Sequence, residues 1–314
     1  MLCHAGSVKQ QAAARAKSTA AHPATAFVEH RERLVSVAYR IVGSAADAED
    51  VVQEAWLRWS TVDQAEVRDQ LAFLVRVTTR LSLDRLRRVK ARRETYPGEW
   101  LPEPLVTDRS VEDDAIQSEA VSIAMVRVLE TLSPLERAVF VLREAFDLPY
   151  AEIGETLGRT EPTVRKLAGR ARDHVESKKP RFEADQATRH DISKRFIAAT
   201  RTGDLGDLMS VLAPGVTLIA DSGGKVRAPL LPVLGADKVA RFLLSVAARE
   251  LGGLRIAVVS LNGGPAVVVS SVDGAQAALE FDVVDGRIQT IYLVANPDKL
   301  AGMSRADGGA ASSG

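Results

Sequence analysis

Acidic and amide side chains recur between residues 47 and 54 at a spacing that puts them along one side of a helix. The group comprises Asp47, Glu49, Asp50, Gln53 and Glu54. Val52, Ala55 and Trp56 fill the adjoining stripe, which predicts a helix with one buried face and one acidic face. Such a face is often only solvated. It also suits a basic protein surface, which it would attract by complementary charge.

A second group consists of arginines on the next predicted helix, namely Arg80, Arg85, Arg87 and Arg88. Residues 85–93 contain six basic residues and no acidic one. A charge run is commonly a solvated face, but clustered cations repel one another unless an anion is near. The phosphates of DNA are such an anion, and contacts with them give affinity and register rather than sequence reading.

A third group lies in a predicted helix-turn-helix at 150–175, where Gly158 permits the sharp turn. Its second helix carries Thr163, Arg165, Lys166, Arg170 and Arg172 outside the apolar stripe. The N-terminal end of such a helix enters the DNA major groove, so the first three are candidates for base contacts. An ordinary helical hairpin is the alternative, although residues 162–172 include no acid.

Helical periodicity and its interruptions predict the elements that position these groups. In order, we expect a disordered tail (1–25), a helical domain (26–95), a linker (96–114), a second helical domain (115–178), an α+β domain (186–302) and a disordered tail (303–314). Pro97, Pro102 and Pro104 exclude a helix from the linker, because proline lacks an N–H and restricts the residue before it. The predicted fold class is therefore two all-α domains, the second with the helix-turn-helix, followed by an α+β domain with a curved sheet.

The α+β domain shows the two-residue period of strands. Ala277, Leu279, Phe281 and Val283 alternate with Gln276, Ala278, Glu280 and Asp282. This alternation predicts a strand that is buried on one face only. Asp285-Gly286 then predicts a tight hairpin turn, and a helix is expected over about 236–250.

Composition limits the function classes. The 41 basic and 41 acidic residues balance, so only local patches indicate a charged partner. Cys3 is the only cysteine, which excludes an internal disulfide and a thiolate metal cluster and fits a reducing cytoplasm. No apolar run approaches the ~18 residues of a membrane span. We expect a cytoplasmic protein without membrane contact, metal or cofactor.

In their order along the chain, the segments 47–57, 78–93 and 150–175 resemble the extracytoplasmic-function sigma factors. The resemblance covers residues 26–178. It implies that the acidic helix binds the clamp of core RNA polymerase, with a further contact at the flap. It also implies that the basic helix meets the −10 element of promoter DNA and that the helix-turn-helix reads the −35 element. A loose linker lets two such domains span separated elements.

Three further segments resemble the sigma-factor-J-like branch, which fuses a SnoaL-like domain of the cone-shaped NTF2-like fold to the sigma core. They are Trp100–Leu105, Asp221–Lys225 and Asn296–Leu300. The branch usually has three glycines after the aspartate, and Ser222 replaces one of them here. The resemblance implies control in cis by the fused domain.

We expect two of these segments to hold the α+β domain against the helical core, by ion pairs with its basic or acidic faces. The residues expected in this interdomain contact are Trp100, Pro102, Asp221, Gly223, Gly224, Lys225, Asn296, Pro297, Asp298 and Lys299. The alternative is a plain hairpin turn followed by a capped terminal helix.

The SnoaL-like resemblance raises the question of catalysis. His190, Asp191 and Asp221 are the candidate acids or bases, and no spacing pairs them. We therefore expect no catalytic residue and favour regulation by domain contact, with a small-molecule ligand in this domain left open. Two other functions also stay open: a helix-turn-helix regulator with a ligand-sensing domain, and an isomerase- or cyclase-like domain fused to a DNA-binding module.

Overall fold

The computed structural model describes residues 23–63, 66–93, 95–106, 122–178, 184–250 and 253–303. Of the expected C-terminal tail, the structure describes only Met303. Most of the expected N-terminal tail, the acidic end of the linker and the start of the second helical domain also fall outside the described residues. In chain order the elements are α1 (Pro23–Val42), α2 (Ala45–Ser60), α3 (Gln70–Arg93), α4 (Ile123–Glu130), α5 (Pro134–Phe140), a π-helical turn (Val141–Ala145), α6 (Tyr150–Leu157), α7 (Glu161–Lys178), α8 (Gln186–Thr202), α9 (Leu205–Val211), β1 (Leu212–Asp221), β2 (Val233–Leu234), α10 (Ala236–Glu250), β3 (Arg255–Leu261), β4 (Gly264–Ser271), β5 (Gly274–Val284), β6 (Arg287–Val294) and α11 (Pro297–Leu300).

Helices α1 to α3 form the first helical domain. Gly43, with a φ of 75°, ends α1, and the Ser44 hydroxyl accepts a hydrogen bond from the Asp47 amide at 3.1 Å to start α2. Trp59 is fully buried, and its ring centroid lies 5.6 Å from that of Phe73, which joins α2 to α3. The predicted helix that carries Arg80, Arg85, Arg87 and Arg88 is confirmed as α3.

Helices α4 to α7 form the second helical domain. Ser133 and Glu136 make a capping box at the start of α5. Gly158 takes a φ of 63° and turns the chain from α6 to α7. A Cβ on Gly154 would lie 2.7 Å from the carbonyl oxygen of Arg159, so this glycine permits close approach of that turn to α6 rather than of α7 to α6.

The two helical domains share one continuous cluster of buried apolar residues. Arg137, which is 1% exposed, joins them by donating from Nε to the carbonyl oxygen of Arg40 at 2.7 Å while it pairs with Glu130. The Arg40 guanidinium in turn lies 5.3 Å from the ring centroid of Phe146. The domains are therefore packed against each other in this structure.

The α+β domain contains a six-stranded sheet in the order β2-β1-β6-β5-β4-β3. β1 runs parallel to β6, and the other neighbouring pairs are antiparallel. Irregularities in β4 at Val269–Ser270 and in β5 at Asp282–Val283 bend the strands and curve the sheet. Asp285 and Gly286 both have a positive φ, which confirms the predicted hairpin. The predicted fold class is confirmed.

Both faces of this sheet are covered. Helices α8 and α10 cover one face, where the ring centroids of Phe196 and Phe281 lie 4.9 Å apart. Leu101 of the linker and Ile123 of α4 pack against the other face. The expectation that β5 is buried on one face only is therefore wrong, and Glu280 on its second face is only 4% exposed.

The part of the chain that the structure describes contains no helix both long and apolar enough to cross a membrane. Within the same residues, no group of three or more His, Cys, Asp and Glu side chains is arranged to hold a metal ion.

Replacing Arg137 by alanine should loosen the joint between the two helical domains. The change leaves the Glu130 carboxylate and the Arg40 carbonyl without their buried partner, and such a loss costs about 3–5 kcal/mol. We expect the thermal midpoint of unfolding, followed by circular dichroism, to fall by roughly 5–10 °C. Arg170→Ala is the control, because Arg170 is exposed on α7. Equal small shifts in both variants would contradict the role of Arg137.

Candidate functional site

The acidic face of α2 is bound to α3 through one arginine. Arg85 donates from Nε to Asp47 at 2.7 Å and from its terminal nitrogen to Asp50 at 3.0 Å. The hydrogen bond to Asp47 raises the pKa of the Arg85 guanidinium. Two residues expected to bind polymerase and one expected to bind DNA are thus paired with one another.

The remaining polar residues of this face lie at the surface of α2. Glu49 pairs with Arg31 of α1, Glu54 pairs with Arg58 at 2.8 Å, and Gln53 is exposed. Exposed ion pairs stabilise a protein by at most ~1 kcal/mol. These carboxylates can therefore exchange their present partners for a basic protein surface at small cost.

Arg80, a candidate for the −10 element, instead binds the second helical domain. It donates from Nε to the carbonyl oxygen of Thr156 at 2.8 Å and from its terminal nitrogen to that of Glu155 at 3.1 Å. These carbonyls end α6, where the helix dipole favours a cation. Arg76, one turn before Arg80, lies 3.7 Å from the Glu155 carboxylate. This part of α3 is therefore occupied by the second helical domain.

The two other candidate arginines of α3, Arg87 and Arg88, face solvent. Arg87 pairs with Asp84 at 2.8 Å, one turn earlier on the same helix. Arg88 is exposed and makes no ion pair within the described residues. Both are accessible to a nucleic-acid phosphate.

The candidate −35 residues lie together on α7. Thr163, Arg165, Lys166 and Arg170 are exposed, and Arg172 is half-buried. Arg165 pairs with Glu161 one turn earlier and lies 5.2 Å from the ring centroid of Tyr150, while Arg172 pairs with Glu144 at 2.7 Å. Because these pairs are at the surface, DNA phosphates can replace the carboxylates.

The linker is extended, and it is buried from Leu101 to Pro104. The Leu101 amide donates to the carboxylate of Asp221 in the α+β domain at 2.8 Å. The Glu103 amide donates to the carbonyl oxygen of Gly43, just after α1, at 3.1 Å. The Leu105 amide donates to Oδ1 of Asn262 in the β3–β4 turn at 3.1 Å. Pro102 and Pro104, which alternate with these residues, have no N–H to satisfy. The sequence Leu-Pro-Glu-Pro-Leu therefore leaves no backbone donor unpaired in a buried segment outside helix and sheet.

The carboxylate that accepts the hydrogen bond from the Leu101 amide belongs to Asp221, which is fully buried at the end of β1. It accepts from the Tyr96 hydroxyl at 2.5 Å, the Leu101 amide at 2.8 Å, the Gly223 amide at 3.1 Å and Lys299 Nζ at 2.6 Å. A buried charge needs both a counter-ion and hydrogen bonds. Here the linker and the α+β domain each supply part of them.

Lys299 completes the contact from α11. It donates to the carbonyl oxygen of Leu101 at 2.5 Å, and its Nζ lies 4.1 Å from the ring centroid of Trp100. Asn296 donates to the Tyr96 hydroxyl at 2.8 Å, and burial raises the pKa of that tyrosine. We call this group the linker anchor; its members are Tyr96, Trp100, Leu101, Asp221, Asn296 and Lys299.

The turn after Asp221 requires two glycines. Gly223 has a φ of 58°, and a Cβ there would lie 2.5 Å from the Asn296 side chain. Gly224 has a φ of 70°, and a Cβ there would lie 2.8 Å from Pro97 of the linker. Ser222 does not have a positive φ, and its hydroxyl accepts from the Gly224 amide at 3.3 Å. This position therefore tolerates a side chain.

In the part of the chain that the structure describes, the ion pairs found for these residues are not the expected ones with the helical domains. Asp221 and Lys299 pair with each other and bind the linker backbone, while Lys225 pairs with Asp298 inside the α+β domain. The physical reason is that the linker lies between the α+β domain and the charged helix faces. Pro297 takes the first position of α11, where its missing N–H is harmless.

A second polar cluster, the Asn262 node, comprises Tyr39, Glu103, Leu105, Asn262 and Glu280. Asn262 lies in the β3–β4 turn, where its amide donates to the Leu105 carbonyl at 2.8 Å and its Nδ2 donates to Glu280 at 2.6 Å. The Tyr39 hydroxyl lies 3.0 Å from Asn262 Oδ1 and 2.8 Å from the Glu103 carbonyl oxygen. Glu280 also accepts from the first amide of α4 at 3.4 Å. The node therefore touches all three domains and the linker.

The Glu103 side chain connects the linker to the acidic helix. Its carboxylate accepts from the Ser44 hydroxyl at 2.8 Å and from the Ala46 amide at 3.3 Å. A carboxylate at a helix N-terminus stabilises the helix by binding free amides and by favourable interaction with the dipole. The start of α2 thus depends on a residue of the linker.

Glu280 is a titratable group at the junction of the domains. Burial raises its pKa to about 7, and the nearby Asp282 acts in the same direction. The hydrogen bonds from Asn262 and the α4 amide, together with Arg189, oppose this rise. Burial also raises the pKa of Tyr39, and the charges of Glu280 and Glu103 add to that effect.

Sequence reasoning did not single out Tyr39, Arg137, Asn262 or Glu280. Asn262-Gly263 reads as a hairpin turn, and both residues do take a positive φ. The turn signal explains the backbone conformation of Asn262. It does not indicate that the Asn262 side chain also binds Tyr39, Leu105 and Glu280. Glu280 stands at a position that alternation assigns to the outer face of β5.

The candidate acids and bases of the α+β domain are not assembled for proton transfer. Asp221 is held by four donors, His190 and Asp191 lie on α8 with Asp191 exposed, and none of the three lines the cavity beneath α10. The Tyr292 hydroxyl donates to Asp282 at 2.7 Å.

Comparisons with known proteins agree with this arrangement. The chain matches the family Sigma-70 region 2 over residues 26–93 and the family Sigma-70, region 4 over residues 122–175. The ECF RNA polymerase sigma factor SigJ of Mycobacterium tuberculosis is 40% identical over 289 residues, which cover 88% of this chain and 92% of that protein. SigI of the same organism is 32% identical over 280 residues, covering 88% and 93%. The crystal structure of the M. tuberculosis SigJ factor matches with a TM-score of 0.72 and 38% identity, over 89% of this chain and 98% of that one.

Glu280→Gln should remove a pH dependence of stability. In the folded protein the pKa of Glu280 is about 7, above its ordinary value of 4.5, so the folded chain retains a proton that the unfolded chain has lost. Glu280 makes its full contribution to the free energy of unfolding below about pH 4.5. This contribution declines as the pH rises to about 7 and stays low above that. We expect the thermal midpoint of the native protein to fall relative to that of Glu280→Gln across this window.

The control is Glu152→Gln, at an exposed position on α6, whose midpoint should run parallel to that of the native protein. Parallel curves for Glu280→Gln and the native protein would contradict the account of Glu280.

Proposed function

The chain belongs to the extracytoplasmic-function RNA polymerase sigma factors, and on that premise we propose how its three domains act together. It binds core RNA polymerase and directs promoter-specific initiation of transcription. We propose that the α+β domain regulates this activity in cis, by holding the linker so that the two helical domains stay packed together. The observation that supports this most directly is the buried Asp221–Lys299 pair, which binds the backbone of Leu101.

The polymerase contact is assigned to the acidic face of α2, with Asp47, Glu49, Asp50, Gln53 and Glu54 on the clamp. Their exposed or partly exposed positions and weak ion pairs support this assignment. The second helical domain is assigned to the flap. Because Glu103 caps α2, a shift of the linker would also change the start of this docking helix.

The DNA contacts are assigned to two helices. On α3, Arg80, Arg85, Arg87 and Arg88 meet the −10 element; on α7, Thr163, Arg165, Lys166, Arg170 and Arg172 meet the −35 element. Arg80 is now bound to carbonyls at the end of α6. It becomes available to DNA when the second helical domain moves away.

The packed arrangement opposes promoter binding, because two separated DNA elements require two separated domains. The shared apolar core and the buried Arg137 favour the packed state. The linker anchor and the Asn262 node hold the linker, which would have to be released before the two helical domains could separate. Binding of core polymerase must therefore supply enough free energy to open the pair. Regulation then consists of changing how firmly the α+β domain holds the linker.

No catalytic residue is assigned, and the protein is placed in the cytoplasm with its polymerase and promoter. Among the residues that the structure describes, no Asp, Glu, His, Lys, Cys or Tyr lines the cavity of the α+β domain. General acid–base chemistry needs such a group within reach of the substrate, so the lining favours binding over isomerase or cyclase chemistry.

The test is promoter-directed transcription in vitro with core polymerase and Asp221→Asn. The asparagine keeps the shape of the site but replaces the carboxylate that pairs with Lys299 by a neutral amide, which should release the linker. We expect promoter output at limiting core polymerase to rise at least about threefold. Deletion of the chain after Ala295 removes Asn296 and Lys299 and should act in the same direction.

Asp273→Asn, at an exposed hairpin, is the matched control and should leave output unchanged. Hydrogen exchange of residues 96–106 shows independently whether Asp221→Asn has released the linker. Unchanged output with a released linker would overturn the proposal.

A further inference from the structure

The α+β domain contains a partly open cavity of about 250 Å³ between the sheet and helices α8 and α10. Its walls are apolar side chains from all three elements, among them Phe196, Ile197, Phe242, Val246, Val267 and Leu279. An apolar cavity favours apolar molecules over water, and one of roughly 150 Å³ admits benzene. By that scale the cavity holds a molecule of about ten non-hydrogen atoms.

Few polar groups reach the cavity. Thr200 uses its hydroxyl on the carbonyl oxygen of Phe196, and Gln276 donates to Ser271 and Gly274. Arg227 is the only charged residue of the lining, lies exposed in the chain that follows the Asp221–Lys225 turn, and makes no ion pair within the described residues. A guanidinium at the edge of an apolar cavity matches a carboxylate, which it binds through two parallel hydrogen bonds.

We propose that this cavity binds an apolar monocarboxylic acid of about ten non-hydrogen atoms, with its hydrocarbon part inside and its carboxylate on Arg227. The described part of the lining contains no acidic side chain, which supports an anion, and the apolar walls oppose a polar or multiply charged one. The size excludes long-chain lipids from full burial.

The cavity shares its wall with the linker anchor. Val226, Arg227 and Ala228, which line it, follow the turn that starts at Asp221. Ala295 also lines it, donates its amide to the Asp221 carbonyl at 2.8 Å and precedes Asn296 of the anchor. An occupant therefore contacts both chain segments that carry the anchor. The bound acid changes how firmly the linker anchor holds the linker, and so changes the promoter output. This inference rests on the proposed function.

The probes are octanoate, 1-octanol and octylammonium, which share a chain and differ in the charge of the head group. Titration calorimetry on the full chain should show saturable binding of octanoate, weaker binding of octanol and none of octylammonium. Arg227→Ala should weaken octanoate about five- to tenfold and leave octanol unchanged. Equal affinity for the three probes would overturn the carboxylate assignment.

Ala247→Phe fills the cavity from α10, and Ala248→Phe is its matched control because Ala248 is exposed on the same helix. We expect Ala247→Phe to abolish octanoate binding with the fold intact by circular dichroism, and Ala248→Phe to bind normally. Binding that persists in a folded Ala247→Phe would show that the acid lies elsewhere and overturn the site.

Regulation is tested separately by adding octanoate to transcription reactions. Promoter output should change with the native protein and with Ala248→Phe, and not with Ala247→Phe. Binding without any change in output would overturn the regulatory role of the acid, whereas the response to Asp221→Asn still tests the proposed function. Failure of one is thus distinguishable from failure of the other.

Discussion

A buried linker that forms neither helix nor sheet must find partners for its backbone in the domains around it, and this constraint organises the molecule. The backbone amides of Leu101, Glu103 and Leu105 each donate a hydrogen bond to a different element of these domains. The prolines that alternate with them have no N–H to donate. The α+β domain and the first helical domain are joined because both supply acceptors to the same five residues. The linker therefore acts as a structural part of the interface rather than as a tether.

The Leu101 backbone binds a buried ion pair, and the Asn262 side chain that binds Leu105 is itself held by the buried Glu280. Asp221 and Lys299 need one another and the linker to offset burial, and Glu280 keeps its place with the help of Asn262. Such groups discriminate sharply between the closed arrangement and any displaced one, since displacement removes the hydrogen bonds that Tyr96 and Leu101 make with the buried ion pair. The apolar clusters stabilise the arrangement without that discrimination. This division suits a contact that has to be firm and also has to open.

Local patterns predicted the elements better than the contacts between them. Helix α3 and the Asp285–Gly286 hairpin follow from spacing and turn chemistry, and family resemblance drew attention to Asp221 and Lys299. Neither approach indicated the Asn262 node. Tyr39 and Asn262 are 223 residues apart, and Glu280 meets α4 across 157 residues. A polar residue on the outer face of a strand looks solvated until the segment that covers it is known.

The central claim is that the α+β domain keeps the two helical domains together until polymerase separates them. The direct measurement is the distance distribution between spin labels on α1 and α7, introduced by Glu29→Cys and Ser177→Cys in a Cys3→Ser background; both sites are exposed. The account predicts one narrow, short distribution for the free protein, and longer, broader ones for Asp221→Asn and for the complex with core polymerase. A broad distribution in the free protein, or an unchanged narrow one in the polymerase complex, would contradict it.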